Sequence, residues 1–186
     1  QLRNIGYSEN FNIEITNSTD KEKRERYVKF LSKKLQRKQG LLERDCDRMV
    51  GNDRVIWTSC MVSCGDADGA VTGNTRKYAT SLQKINKVID VRKGEIMFGL
   101  NMIVSKGKTV FIGDTSVHEY PTSEQLSEIA ISAARVVRLF GFDPKVAFVS
   151  HSTFGQPLTS RTKHIRDAVE ILQDKKVDFQ FDGDMQ

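Results

Sequence analysis

Pro121-Thr-Ser-Glu-Gln-Leu-Ser-Glu-Ile-Ala-Ile-Ser-Ala-Ala-Arg-Val-Val-Arg-Leu-Phe-Gly-Phe-Asp-Pro-Lys-Val-Ala-Phe-Val-Ser150 carries the reading of the fold. Thr122 and Gln125 stand at capping-box spacing just after a proline that suits a helix start. Leu126, Ile129, Ala130, Ala133, Val136, Val137 and Phe140 recur at helical spacing, so they form one apolar stripe, and Gly141 stops the run. Lys145 to Ser150 then reads as an unbroken apolar strand, the pattern of a parallel sheet covered on both faces. Downstream, the spacing predicts a helix from about Thr159 to Lys175 and a strand over Val177 to Phe181.

Upstream, Ile96 to Ser105 and Thr109 to Gly113 are strand-like runs joined by Lys106-Gly-Lys108, a hairpin signal. Tyr78 to Val91 has helical spacing. Ala67 to Gly73, short and bounded by glycine, is expected to be a buried strand. Val55 to Cys64 and Leu41 to Val50 read as helices. Asp20 is expected to cap a long helix to about Lys38 that stops at Gly40. Phe11 to Ile15 alternates as a short strand does. Strands alternate with helices, so the class is α/β. The texture breaks near Asp114 to Glu119.

The 186 residues are 38% apolar and 28% charged, an ordinary globular composition for one large or two small domains. No apolar run approaches the ~18 residues of a membrane span, so no membrane partner is expected. Three cysteines, an odd number, and an opening Gln1-Leu-Arg-Asn-Ile-Gly-Tyr7 without a leader pattern point to reduced thiols and a cytoplasmic setting. The chain lacks an initiator Met and stops just after a strand, so a piece of a longer polypeptide is expected. The net charge is +5, and residues 20–48, with eleven Lys/Arg against six Asp/Glu, carry the whole surplus. The stretch reads as the solvated face of an amphipathic helix, and no nucleic-acid partner is expected.

Two loops are placed for anion chemistry. Ser150-His-Ser-Thr-Phe-Gly155 lies between a strand and a helix. Ser150, Ser152, Thr153, Gly155 and the helix amides suit a phosphate, and Arg161 and Lys163 favour negative charge there. The same hydroxyls also suit a turn that satisfies its own backbone. Gly73-Asn-Thr-Arg-Lys77 places Thr75 and Arg76 before a helix, where they either meet an anion or form plain surface. No metal site and no catalytic residue is assigned: Cys60 and Cys64 are too few ligands for zinc, His118 with Glu119 and Asp114 makes only a corner, and His151 lacks an acidic partner.

Gly65-Asp-Ala-Asp-Gly-Ala-Val-Thr-Gly73, Asp114-Thr-Ser-Val-His-Glu-Tyr-Pro-Thr-Ser-Glu-Gln-Leu-Ser-Glu-Ile-Ala130, Arg138-Leu-Phe-Gly-Phe-Asp-Pro-Lys-Val-Ala147, Ser150-His-Ser-Thr-Phe-Gly155 and Asp182-Gly-Asp-Met-Gln186 together resemble the signatures of the phosphate acetyl/butyryltransferases. The Ser-His-Ser-Thr-Phe-Gly form is most similar to the transferase-like domain at the C-terminal side of bacterial NADP-dependent malic enzymes. The resemblance implies a two-lobed, three-layer α/β/α fold with mostly parallel sheets, incomplete at both ends, with residues 1–115 in the first lobe and 116–186 in the second. It implies a homodimer or higher homo-oligomer that binds acetyl-CoA or a related acyl-CoA between lobes. NADP and Mg or Mn belong to a malic-enzyme region outside the chain. Counting from Gly73, Gln83 stands where transferases carry an arginine, and Gln lacks the cationic fork. The family's Leu-Ser-Arg-Gly run has no counterpart before Gln186. The resemblance therefore implies an acyl-CoA-sensing and dimerisation module without catalysis of its own or, alternatively, a piece of an active phosphate acetyl/butyryltransferase that moves an acyl group between CoA and phosphate.

Overall fold

Asp20 starts the first helix by accepting the Lys23 N–H at 3.1 Å, and α1 runs Lys21–Gln39. Gly40, at φ 64°, closes it in the left-handed conformation that glycine adopts without strain. Tyr27, Leu31 and Leu35, four residues apart, turn inward. Helix α2 (Glu43–Asn52) adds Cys46 and Val50 to the same core. Asp53 both ends α2 and caps α3 (Arg54–Ser63), accepting from Val55 N–H at 2.9 Å. Helix α3 contributes Ile56, Trp57 and Cys60, and α4 (Tyr78–Val88) contributes Val88. The Tyr27 and Trp57 rings meet edge to face, centroids 4.9 Å apart. The computed structural model describes residues 14–152, 156 and 159–185. The strand expected over Phe11 to Ile15 falls mostly outside them.

The expectation for Ala67 to Gly73 is corrected. The segment is not a strand, and Val71 is fully exposed. A strand needs a neighbour for its N–H and C=O groups. None of the described residues pairs with this run, and three glycines at 65, 69 and 73 have no side chains to bury.

Strands β1 (Leu100–Ser105) and β2 (Lys108–Gly113) form an antiparallel hairpin in register Met102 with Phe111 and Ile103 with Val110. Lys106 and Gly107 have φ of 48° and 75°; positive φ at both turn residues suits the twist of a two-residue hairpin. The capping box at α5 (Ser123–Leu139) is present: Gln125 N–H donates to Thr122 Oγ1 at 3.2 Å, and Thr122 N–H to Gln125 Oε1 at 2.9 Å. Strand β3 (Lys145–Val149) leads to α6 (Ser160–Asp174), and β4 (Gln180–Met185) returns parallel to β3. The last strand begins three residues later than the spacing predicts. Coverage of β3 on both faces is also corrected: Phe148 is buried, but Val149 is 71% exposed. Gly183 lets β4 close on β3, because a Cβ there would lie 2.7 Å from that of Phe148.

The class is α/β, with small sheets between helices. Two compact units divide at Asp90 and Val91. The division precedes the break in texture near Asp114, because the hairpin packs with α5.

Candidate functional site

The loop after β3 is a hydroxyl turn. Ser150 N–H extends the β3–β4 pairing by donating to the Met185 carbonyl at 2.7 Å. Its Oγ accepts the Ser152 N–H at 3.0 Å and lies 3.0 Å from Ser152 Oγ. Ser152 is buried. The hydroxyls therefore fold the loop back on itself, one of the two roles the sequence leaves open. Thr153 and Gly155 lie outside the described residues. Thr159 and Thr162 form a capping box at the start of α6, with Thr162 N–H donating to Thr159 Oγ1 at 3.2 Å, and Arg161 occupies that first turn. His151 is exposed, and the flanking serine hydroxyls bond each other rather than its ring.

Thr75 and Arg76 sit in the second loop, in the unit Gln1–Asp90. Thr75 N–H donates to the Gly73 carbonyl at 2.8 Å, and Asn74 takes φ 66°. Arg76 reaches Asp53 at 3.4 Å, and Lys84 pairs with the same carboxylate. Burial disfavours the charge on Asp53, but the Lys84 ammonium and the Val55 N–H override it and hold the carboxyl below its ordinary range. Arg76 is thus partly neutralised, which weakens its pull on a free anion. Gln83 is exposed on α4.

Two carboxylates fix the flanks of these motifs. Asp66, at the head of the glycine loop, accepts the buried Tyr27 O–H at 2.5 Å and also pairs with Arg26. Both bonds lower its pKa. Nothing in sequence signals this contact, since the partners lie 39 residues apart. Asp114 accepts N–H bonds from Gly99 (2.8 Å), Ser116 (3.0 Å), Val117 (3.1 Å) and His118 (2.9 Å), plus the His118 Nδ1 at 2.7 Å. Burial alone would raise its pKa, but these bonds bring it down to about 2. Its oxygens are thus committed to shaping the loop. Gly99 permits this close approach: a Cβ there would lie 2.7 Å from Ser116 Oγ. Among the described residues no group of three or more His, Cys, Asp or Glu is placed to hold a metal ion, and no helix is long and apolar enough to cross a membrane.

The phosphate acetyl/butaryl transferase family matches residues 3–186. The chain belongs to that family. An NADP-dependent malic enzyme of Rhizobium meliloti is 42% identical over 173 residues, which are 93% of this chain and 23% of that protein. A phosphate acetyltransferase of Nitratidesulfovibrio vulgaris is 32% identical over 136 residues, 73% of this chain and 19% of the other. The chain thus spans about a quarter of the length of such relatives. The EutD phosphotransacetylase from Staphylococcus aureus shares the fold at a TM-score of 0.79 and 23% identity, covering all of this chain and 56% of that one. A phosphotransacetylase from Streptococcus pyogenes matches at a TM-score of 0.78 and 25% identity.

Proposed function

We propose that this chain is the transferase-like segment of a cytoplasmic NADP-dependent malic enzyme, and that it senses acyl-CoA and joins subunits rather than transferring acyl groups. The observation that carries this reading is the 42% identity to such an enzyme over 93% of the chain. Gln83, where a transferase arginine is expected, supports the loss of transfer chemistry, because Gln provides no charge for phosphate or a developing oxyanion. The hydroxyl turn Ser150–Ser152 and the start of α6 are chemically suited to the phosphates of an acyl-CoA. Arg161, Thr75 and Arg76 are the further candidates for that contact. NADP and the divalent metal of malate decarboxylation fall to the part of such an enzyme outside this chain.

The test is calorimetric titration of acetyl-CoA into the complete enzyme that carries this segment, alongside malate turnover. Binding together with a change in turnover is expected. Absence of both overturns the sensing role. The second reading, an active acyltransferase, draws on the 32% identity to a phosphate acetyltransferase. Acetyl phosphate formation from acetyl-CoA and phosphate at a rate typical of enzymes, about 10 per second, would favour it over the first.

A further inference from the structure

Residues of α2, the head of α3 and α4 line a cavity of about 480 Å³, wholly inside the unit Gln1–Asp90. Its floor is Ile56, buried in the helical core, with Leu41 and Met49 packed against the same core. Arg48, Lys84 and Lys87 stand around that floor with two carboxylates, Asp45 and Asp53. Both carboxylates already have work. Leu42 N–H donates to Asp45 Oδ2 at 3.3 Å, and Asp53 caps α3 and pairs with Lys84. Arg48 and Lys87 have no ion pair among the described residues, although Asp45 stands one helical turn from Arg48. An apolar floor with a few cations aimed over it is the make-up of a small-molecule site. A surface meant for burial in a core does not carry unpaired charges.

We propose that this cavity binds a small aliphatic carboxylate, its head held by Arg48 and Lys87 and its carbon chain laid on Leu41, Met49 and Ile56. The site is separate from the proposed acyl-CoA contacts, none of which lines it, and the inference is independent of the proposed function. Charge selects the head. Three cations against two carboxylates leave one surplus positive charge, which matches a monoanion, while Asp45 and Asp53 repel a second negative group. The planar guanidinium of Arg48 fits a carboxylate with two parallel hydrogen bonds, and the Lys87 ammonium adds a point charge from α4. The floor selects the body. Each methylene taken out of water there contributes up to ~0.8 kcal/mol, so a chain of several carbons is favoured over a bare head.

The probe is hexanoate, titrated into the isotopically labelled 186-residue chain and followed by amide NMR. Saturable shifts centred on residues 41–56 and 84–88 are expected. Acetate, which has the head without the body, is expected to bind about tenfold more weakly. Hexanamide, which has the body without the charge, is expected to give no saturable shift. Arg48→Ala and Lys87→Ala are each expected to weaken hexanoate about tenfold. Neither side chain is buried, so the rest of the spectrum stays as in the parent. Arg37→Ala removes an exposed cation from the last turn of α1, outside the cavity, and is expected to change nothing. Equal weakening by Arg37→Ala would reduce the effect to diffuse attraction by a basic surface and overturn the proposal. Hexanamide binding as well as hexanoate overturns it, since the cations would then be idle. Succinate binding more tightly than hexanoate overturns the match to a monoanion. Absence of saturable shifts at these residues overturns the site itself.

Discussion

The two compact units solve burial differently. In Gln1–Asp90 the helices close on Tyr27, Leu31, Leu35, Val50, Ile56, Trp57, Cys60 and Val88, none more than 6% exposed. Burial pushes the Cys60 thiol up to about 12, so it packs as a small apolar group. In Val91–Gln186 the buried cluster is Ala130, Phe148, Ala168 and Leu172, while Val104, Val110, Ile112 and Val149 face outward. The difference follows from backbone chemistry. A helix satisfies its own hydrogen bonds, so consecutive helices complete a core from one stretch of chain. A strand borrows its partners, so its apolar side chains are covered only when every neighbour is present.

The sharpest way to break this contrast is a pair of truncations. Leu31→Ala removes a fully buried side chain from a packed core and is expected to cost about 3 kcal/mol. Val149→Ala, 71% exposed at a strand edge, is expected to change stability by less than about 0.5 kcal/mol. Urea denaturation of both variants checks this. Comparable losses would show that the second unit is as closed as the first.

Asp114→Asn probes what holds the second unit's loop in place. The carboxyl side chain is only 2% exposed, and its N–H bonds keep it ionised down to about pH 2. A lowered folded pKa contributes stability that is complete above the unfolded value, ~3.9, and is lost as pH falls through about 2. The variant is expected to be weaker by about 2 kcal/mol at pH 6, with the gap to the parent closing between pH 4 and pH 2. A constant gap across that range would mean that the charge is not what the loop uses.

The legible parts of the fold were those set by local chemistry. The α1 cap at Asp20, its stop at Gly40, the Thr122–Gln125 box and the Lys106-Gly107 turn each depend on residues within four positions of one another. Ala67 to Gly73 misled because glycine-bounded apolar residues resemble a strand whether or not a partner exists. At the candidate site, the turn made by Ser150 and Ser152 was legible as chemistry, though with two possible uses. The Arg76 contact with Asp53 and the Tyr27 contact with Asp66 were not legible, because each joins residues distant in sequence through the packing of helices.

That last contact offers the smallest and most selective perturbation. Tyr27 is fully buried, and its O–H joins the Arg26 pair in tying Asp66 of the glycine loop to the helical core. Tyr27→Phe keeps the ring against Trp57 and removes only the hydroxyl, at an expected cost of about 1 kcal/mol. Asp66 retains its pair with Arg26, so the loop stays tethered and the loss stays small. The titration has a definite sign. Burial raises the Tyr27 pKa, and the bond to Asp66 raises it further, so the folded state keeps the phenol protonated beyond its ordinary range. A phenol with a raised folded pKa contributes stability that is complete below the unfolded value, ~10, and is lost as pH climbs from there through the higher folded value, because the unfolded chain ionises first. Ultraviolet titration of the four tyrosines is expected to show one that lags the others, absent in Tyr27→Phe. The emission of Trp57, the chain's one tryptophan, is expected to be unchanged in the variant, since the ring contact survives. A shifted emission would mean that the hydroxyl positions the core itself, and the distinction between a self-sufficient helical unit and a tethered loop would fall.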